Sequence, residues 1–238
     1  MVPKFFFPEL LRESLVELAP FYLPTVVVRS IRPLLDGSDL AVAKKNKVLF
    51  IHIPKAAGTT VCMSLYGKTR EHHTALWYKK TDPILFSSLF KFAIIRDPVD
   101  RFVSAYHFLR MGGTDIVRVN RRAYGWAQRF PTIQSFIEAV DSGREENFRS
   151  MDYVLHPQSR FVVDENGGYI VDRIYRLEEI SGKMISGPSF TVDMSVVLNS
   201  SKRNGDSYVT EDVVNFVNKY YDKDVHMYQN LPEHISSP

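Results

Sequence analysis

The run Lys47-Val48-Leu49-Phe50-Ile51-His52-Ile53 constrains the fold more than any other stretch of this chain. It is nearly all apolar, rich in β-branched and aromatic residues, and it ends at Pro54. A continuous apolar run of that length suits a strand of a parallel sheet, covered on both faces. Thr59 to Tyr66 then reads as a helix, joined to the strand by the turn Pro54-Lys55-Ala56-Ala57-Gly58. The device recurs. Phe90 to Ile95 is a second buried strand with Arg96 at its carboxyl end. Asp97 is placed to cap a helix and Pro98 to open it. That helix runs from about Val99 to Leu109 and stops near Gly112-Gly113. Strands alternating with helices predict an α/β fold, a doubly wound parallel sheet with flanking helices, in a single domain. Ligands of such sheets bind beyond the carboxyl ends of the strands, so both turns are expected to face one crevice.

Further along, Thr132 to Val140 reads as a helix and Tyr169 to Leu177 as a strand. Thr210 is placed to cap a last helix through Val213, Phe216, Val217 and Tyr220. Residues 1–45 are expected to form an N-terminal helical extension, separate from a main domain over 46–238. Leu10, Leu11, Ser14, Leu15 and Leu18 fall at helical spacing there, a stripe suited to packing on a core or to weak contact with a membrane surface. Arg29 and Arg32 interrupt the apolar stretch from Pro20 to Leu35, so no run reaches the roughly 18–20 residues of a membrane span. No secretory leader is expected either.

The turn after Ile53 has the parts of a phosphate cradle. A helix N-terminus offers free N–H groups and the positive end of its dipole. Ala56, Ala57 and Gly58 let an anion approach the backbone. Thr59 and Thr60 add hydroxyls, and Lys55 adds a charge. The pattern is P-loop-like but not a Walker A loop, where Lys directly follows Gly; here Lys55 precedes Gly58 by three residues. The position where an NTPase would hold Mg²⁺ is Arg96. Lys55 and Arg96 therefore replace the metal. Arg96 is placed to fork onto a phosphate, or else to pair with Asp97 or Asp100. Ser104, eight residues on, is two helical turns away and can face the same anion. No His, Asp, Glu or Cys spacing suggests a metal site, and the single cysteine, Cys62, is expected to be buried and inert. The net charge of +3 and pI near 8.8 suit an anionic ligand without calling for nucleic acid.

Two segments, Phe50-Ile-His-Ile-Pro-Lys-Ala-Ala-Gly-Thr-Thr60 and Ile95-Arg-Asp-Pro-Val-Asp-Arg-Phe-Val-Ser-Ala-Tyr106, resemble the carbohydrate sulfotransferases. The likeness is greatest to the branch of heparan and uronyl 2-O-sulfotransferases and their bacterial relatives. His156-Pro157-Gln158, Arg176 to Ile180 and Leu198 to Arg203 extend it, so it covers roughly residues 47–230. The resemblance implies that residues 46–238 form a sulfotransferase domain using 3′-phosphoadenosine 5′-phosphosulfate (PAPS) as co-substrate, without a metal. It implies that Lys55 to Thr60 grip the 5′-phosphosulfate, Arg96 and Ser104 the 3′-phosphate, and Ser201 and Arg203 a loop closing on the nucleotide.

Proton removal from an acceptor hydroxyl calls for a base, and histidine is the natural one. The family carries its catalytic histidine between the two motifs, which implies His72 or His73, with the register favouring His72. His156 is an alternative, and His52 reads as a core residue. The acceptor implied is a carbohydrate or glycoconjugate. Arg118, Arg121, Arg122, Tyr124 and Trp126 are candidates to grip an anionic sugar, or else ordinary surface residues. Two other classes compete: a metal-dependent P-loop kinase, and a non-catalytic nucleotide- or membrane-binding protein. With no anchor or disulfide in view, a cytoplasmic, bacterial-type enzyme, at most peripheral to a membrane, is expected.

Overall fold

In a computed structural model of the protein, the described residues are 22–28, 30, 38–114, 117–195 and 209–231. The stripe from Leu10 to Leu18 and the late loop with Ser201 and Arg203 lie outside them.

Helix α1, Ser38–Asn46, buries Leu40 and Ala43 against the sheet core. Strand β1, Val48–Ile51, follows with all four residues buried. Strand β2, Phe90–Ile95, runs parallel to it, Val48 opposite Phe90 and Ile51 opposite Ala93. Strand β3, Arg173–Arg176, runs parallel along the other side of β2, Phe92 opposite Arg173 and Ile95 opposite Arg176. The order is β1-β2-β3. β2 is therefore central, and its continuous apolar sequence follows from cover on both faces. Lys91 is the one charge in it. Its ammonium, though buried, lies 3.0 Å from Asp172 and donates to the Leu89 carbonyl, which offsets its loss of water. β1 is shorter than the apolar run that predicts it. After Ile51 the chain leaves the ladder, the Ile53 N–H bonding the Ile51 carbonyl, while His52 and Ile53 stay buried.

Helices fill the crossovers. Between β1 and β2 come α2, Gly58–Tyr66, α3, Ala75–Thr81, and α4, Pro83–Ser88. Between β2 and β3 come α5, Pro98–Arg110, α6, Arg121–Ala127, and α7, Ile133–Asp141. The cap expected at Asp97 is present, its carboxylate accepting the Asp100 N–H at 3.0 Å. Thr132 and Ser135 form a reciprocal capping box on α7. After β3 come α8, Leu177–Ile180, and the antiparallel hairpin of β4, Met184–Gly187, and β5, Phe190–Asp193. Phe190 stacks on Phe92 at 4.4 Å, so the hairpin covers one face of the parallel sheet. The chain closes with α9, Glu211–Tyr220, capped by Thr210, and α10, Asp222–Gln229. A second core gathers α5, α7 and α9 around Phe102, Phe136, Phe148 and Phe216. No helix among the described residues is long and apolar enough to cross a membrane.

Candidate active site

The loop after β1 is bent by two residues in the left-handed region, Lys55 with φ 65° and Ala57 with φ 60°, neither of them glycine. Each costs of order 1–2 kcal/mol, and such conformations concentrate at functional sites. A backbone that alternates in hand turns successive N–H groups toward one concavity, the form of many anion sites. The loop delivers these groups to the start of α2. There Ala57 caps without any side-chain hydrogen bond, and the first turn holds no acidic residue. The positive end of the helix is thus not countered by a side chain of its own first turn. The ammonium of Lys55 lies 4.3 Å from the centre of the Phe108 ring. Burial, and then the nearby Arg101 charge, lower its pKa to about 8.

Gly58 matters for a reason the sequence does not announce. A methyl group there would stand 2.0 Å from His52 Cδ2 and 2.3 Å from Nε2. The group that approaches Gly58 is thus the His52 imidazole. That ring is itself hemmed in by Phe50 and His72, at centroid distances of 5.8 and 3.9 Å. Gly58→Ala should therefore lower stability by about 1–3 kcal/mol through overpacking, read as an earlier midpoint in urea unfolding. An unchanged midpoint would show that the His52 ring is free to move aside.

The histidine arrangement is specific. His72 Nδ1 lies 2.8 Å from the His52 carbonyl oxygen. A carbonyl only accepts, so Nδ1 carries the proton and Nε2 keeps a lone pair. The His72 ring is flanked by His52 at 3.9 Å and by Tyr153 at 4.8 Å. Burial first, then the neighbouring His52, hold its pKa well below 6.5, and the Lys55 charge pushes in the same direction. The imidazole is neutral at physiological pH, as a general base must be. His73 goes elsewhere: it is buried and stacks on Trp77 at 4.0 Å. His156 is buried too, and burial followed by the charges of Arg160 and Arg101 lowers its pKa to about 3. His52 is buried as a core residue, its Nδ1 2.9 Å from the Arg70 carbonyl oxygen and 3.7 Å from Cys62 Sγ.

Arg96 leaves the end of β2 and reaches back over the loop. Its guanidinium donates to the Lys55 carbonyl and pairs with Asp100, both at 3.5 Å. These long contacts leave donors for a ligand. Ser104 lies in α5, eight residues on from Arg96, and is buried. Sequence reasoning passed over Arg101. It is 2% exposed, and its guanidinium donates to the carbonyls of Pro54 at 3.1 Å, Val154 at 3.0 Å and His156 at 2.8 Å. It ties the phosphate-type loop to the segment that supplies Tyr153. Its place in the second motif was visible, but its burial was not.

Of the residues suggested for an acceptor, Arg118, Arg121, Arg122 and Tyr124 are exposed. Trp126 is not available: it is 7% exposed, packs edge-on against Phe136, and donates its indole N–H to Glu145 at 2.9 Å. No group of three or more His, Cys, Asp or Glu among the described residues is placed to hold a metal ion.

The fold and site together define an α/β protein with a three-stranded parallel sheet, flanking helices, and a left-handed loop leading from the end of β1 to the start of α2. The model of the sulfotransferase family matches residues 38–229, and the chain belongs to that family. It is therefore a transferase that moves sulfuryl groups. Comparison with curated proteins and with solved structures gives no match.

Proposed function

We propose that the protein is a PAPS-dependent O-sulfotransferase acting on a carbohydrate or glycoconjugate hydroxyl, of the heparan and uronyl 2-O-sulfotransferase type, with a P-loop-like, doubly wound sheet. The observation that carries this reading is His72, a neutral imidazole with Nδ1 committed and the lone pair on Nε2, close enough to Lys55 to feel its charge. PAPS brings a sulfuryl group joined to a phosphate that departs with negative charge. Lys55 and the N–H groups at the start of α2 hold that end, and Lys55 stabilises the departing oxygen. Arg96 and Ser104 hold the 3′-phosphate, Arg96 exchanging its long contact with Asp100 for the anion; Ser201 and Arg203 close over the nucleotide. His72 Nε2 takes the proton of the acceptor hydroxyl as the new O–S bond forms and the old S–O bond breaks. Positioning and electrostatics supply most of the acceleration. Arg118, Arg121 and Arg122 give the acceptor side a positive lip suited to an anionic sugar. The reading includes a cytoplasmic location, with residues 1–45 giving at most weak contact with a membrane surface.

Thermal unfolding with added ligand tests the donor. At a hundredfold excess over its Kd, 3′,5′-adenosine bisphosphate should add about 2.7 kcal/mol. For a domain of this size that is about 5–10 °C in Tm. ATP with Mg²⁺ should add far less. A larger shift with ATP and Mg²⁺ would overturn the donor assignment and favour a kinase.

A further inference from the structure

Gln158 is completely buried, and both the oxygen and the nitrogen of its amide hydrogen-bond to the backbone of one other residue. Its Oε1 accepts the Arg96 N–H at 2.9 Å, and its Nε2 donates to the Arg96 carbonyl at 2.8 Å. This is the two-bond grip that paired strands exert on one another. It is applied one residue beyond Ile95, where the pairing of β2 with β3 ends. Gln158 is fixed in turn from the far end of the chain. Asp224 of α10 accepts the N–H of Gln158 at 2.7 Å and of Ser159 at 2.9 Å. Asp224 is 1% exposed; burial pushes its carboxyl pKa up, against the pull of Arg101 and of these two N–H groups. The same helix pair is tied down by Tyr221, whose hydroxyl donates to the Leu155 carbonyl at 2.8 Å.

Among the described residues, the guanidinium of Arg96 makes contacts of 3.5 Å, to the Lys55 carbonyl and to Asp100. Its direction is therefore set by its backbone, and its backbone is set by Gln158. We propose that Gln158, anchored by Asp224, is a positioning residue for Arg96, presenting that guanidinium to a phosphate group of the donor. The inference rests on the donor reading above. It makes the C-terminal helix α10 part of the donor site, although Asp224 reaches Arg96 only through Gln158.

A double-mutant cycle on nucleotide affinity tests it. The Kd for 3′,5′-adenosine bisphosphate is measured by calorimetry for the wild type, Gln158→Leu, Arg96→Ala and the pair. Gln158→Leu should weaken binding about tenfold, and should weaken it little further once Arg96 is gone, since residues that act as a unit are not additive. Gln158→Glu keeps the acceptor for the Arg96 N–H and loses the donor. It should fall between wild type and Gln158→Leu, and it takes the place of that variant in the cycle if leucine prevents folding. Equal losses with and without Arg96 would overturn the positioning role, as would unchanged affinity in Gln158→Leu. A wild type that does not bind the bisphosphate would sink the donor reading itself, a result the cycle cannot imitate.

Discussion

His72→Ala lowers kcat for sulfuryl transfer by about 10²–10⁴-fold, the usual worth of a positioned general base, while affinity for 3′,5′-adenosine bisphosphate stays near that of the wild type. Under the proposed function, the readout is transfer of labelled sulfate from PAPS to a saccharide acceptor. The pH dependence adds a sharper check. An ordinary histidine would lose its lone pair as pH falls through 6.5. His72 is held well below that value by burial and by His52. The acid limb of kcat/KM should therefore lie below pH 6.5, with activity flat through neutrality. On the alkaline side the proposed reaction needs Lys55 protonated to hold the departing charge, and burial lowers its pKa to about 8. Activity should decline above about pH 8, and the residual activity of His72→Ala should keep that decline, because it belongs to Lys55. Full activity in His72→Ala would pass the role to His73 or His156.

Strands β1 and β2 and both motif loops were legible because each is local. An apolar run, a proline and a cap lie within a dozen residues of one another, and Phe90–Ile95 appears with the bounds the sequence suggests. The helix expected over Thr59 to Tyr66 gains only Gly58. What stayed hidden is either short or nonlocal. The hairpin of Met184–Gly187 and Phe190–Asp193 buries alternate residues, Ile185, Phe190 and Val192, but four-residue strands carry too few alternations to stand out. Helices α3 and α4 announce themselves only by their caps, Thr74 and Asp82. Trp77 and Tyr78 are both buried, so no single apolar stripe marks α3. At the site, Lys55 and Arg96 stand out in the sequence by type and by their place after a strand, whereas His72 is set apart from His73 only by the register of the resemblance. Gln158, Asp224 and Arg101 do not stand out, since each acts on backbone groups between 47 and 66 residues away. Trp126 shows the opposite error: an aromatic beside arginines looks like a surface for a sugar until its other neighbours are known.

Arg101→Met should destabilise the fold by about 3–5 kcal/mol, the cost of removing one partner from a buried charged network. The methionine fills much of the volume, so the loss is mainly electrostatic. Three buried carbonyls, those of Pro54, Val154 and His156, lose their donor together. Asp224 loses the cation that counters its burial. Arg101→Lys should recover little, because a point charge cannot fork to three acceptors on different segments. Guanidinium unfolding gives the measurement, as a drop in midpoint at constant slope. A loss below about 1 kcal/mol would mean that water replaces the guanidinium, and that the loop and the 154–156 segment hold together without it.

Lys55 and Ala57 stand in left-handed conformations although neither is glycine. The curve of the loop is thus a cost met once, during folding, and carried by the resting protein as lower stability. An arriving anion finds its N–H groups already gathered and loses little affinity to ordering them. If the loop holds the donor as proposed, thermal hardiness and grip on it are set against each other in three consecutive residues, and selection for either one would be felt by the other.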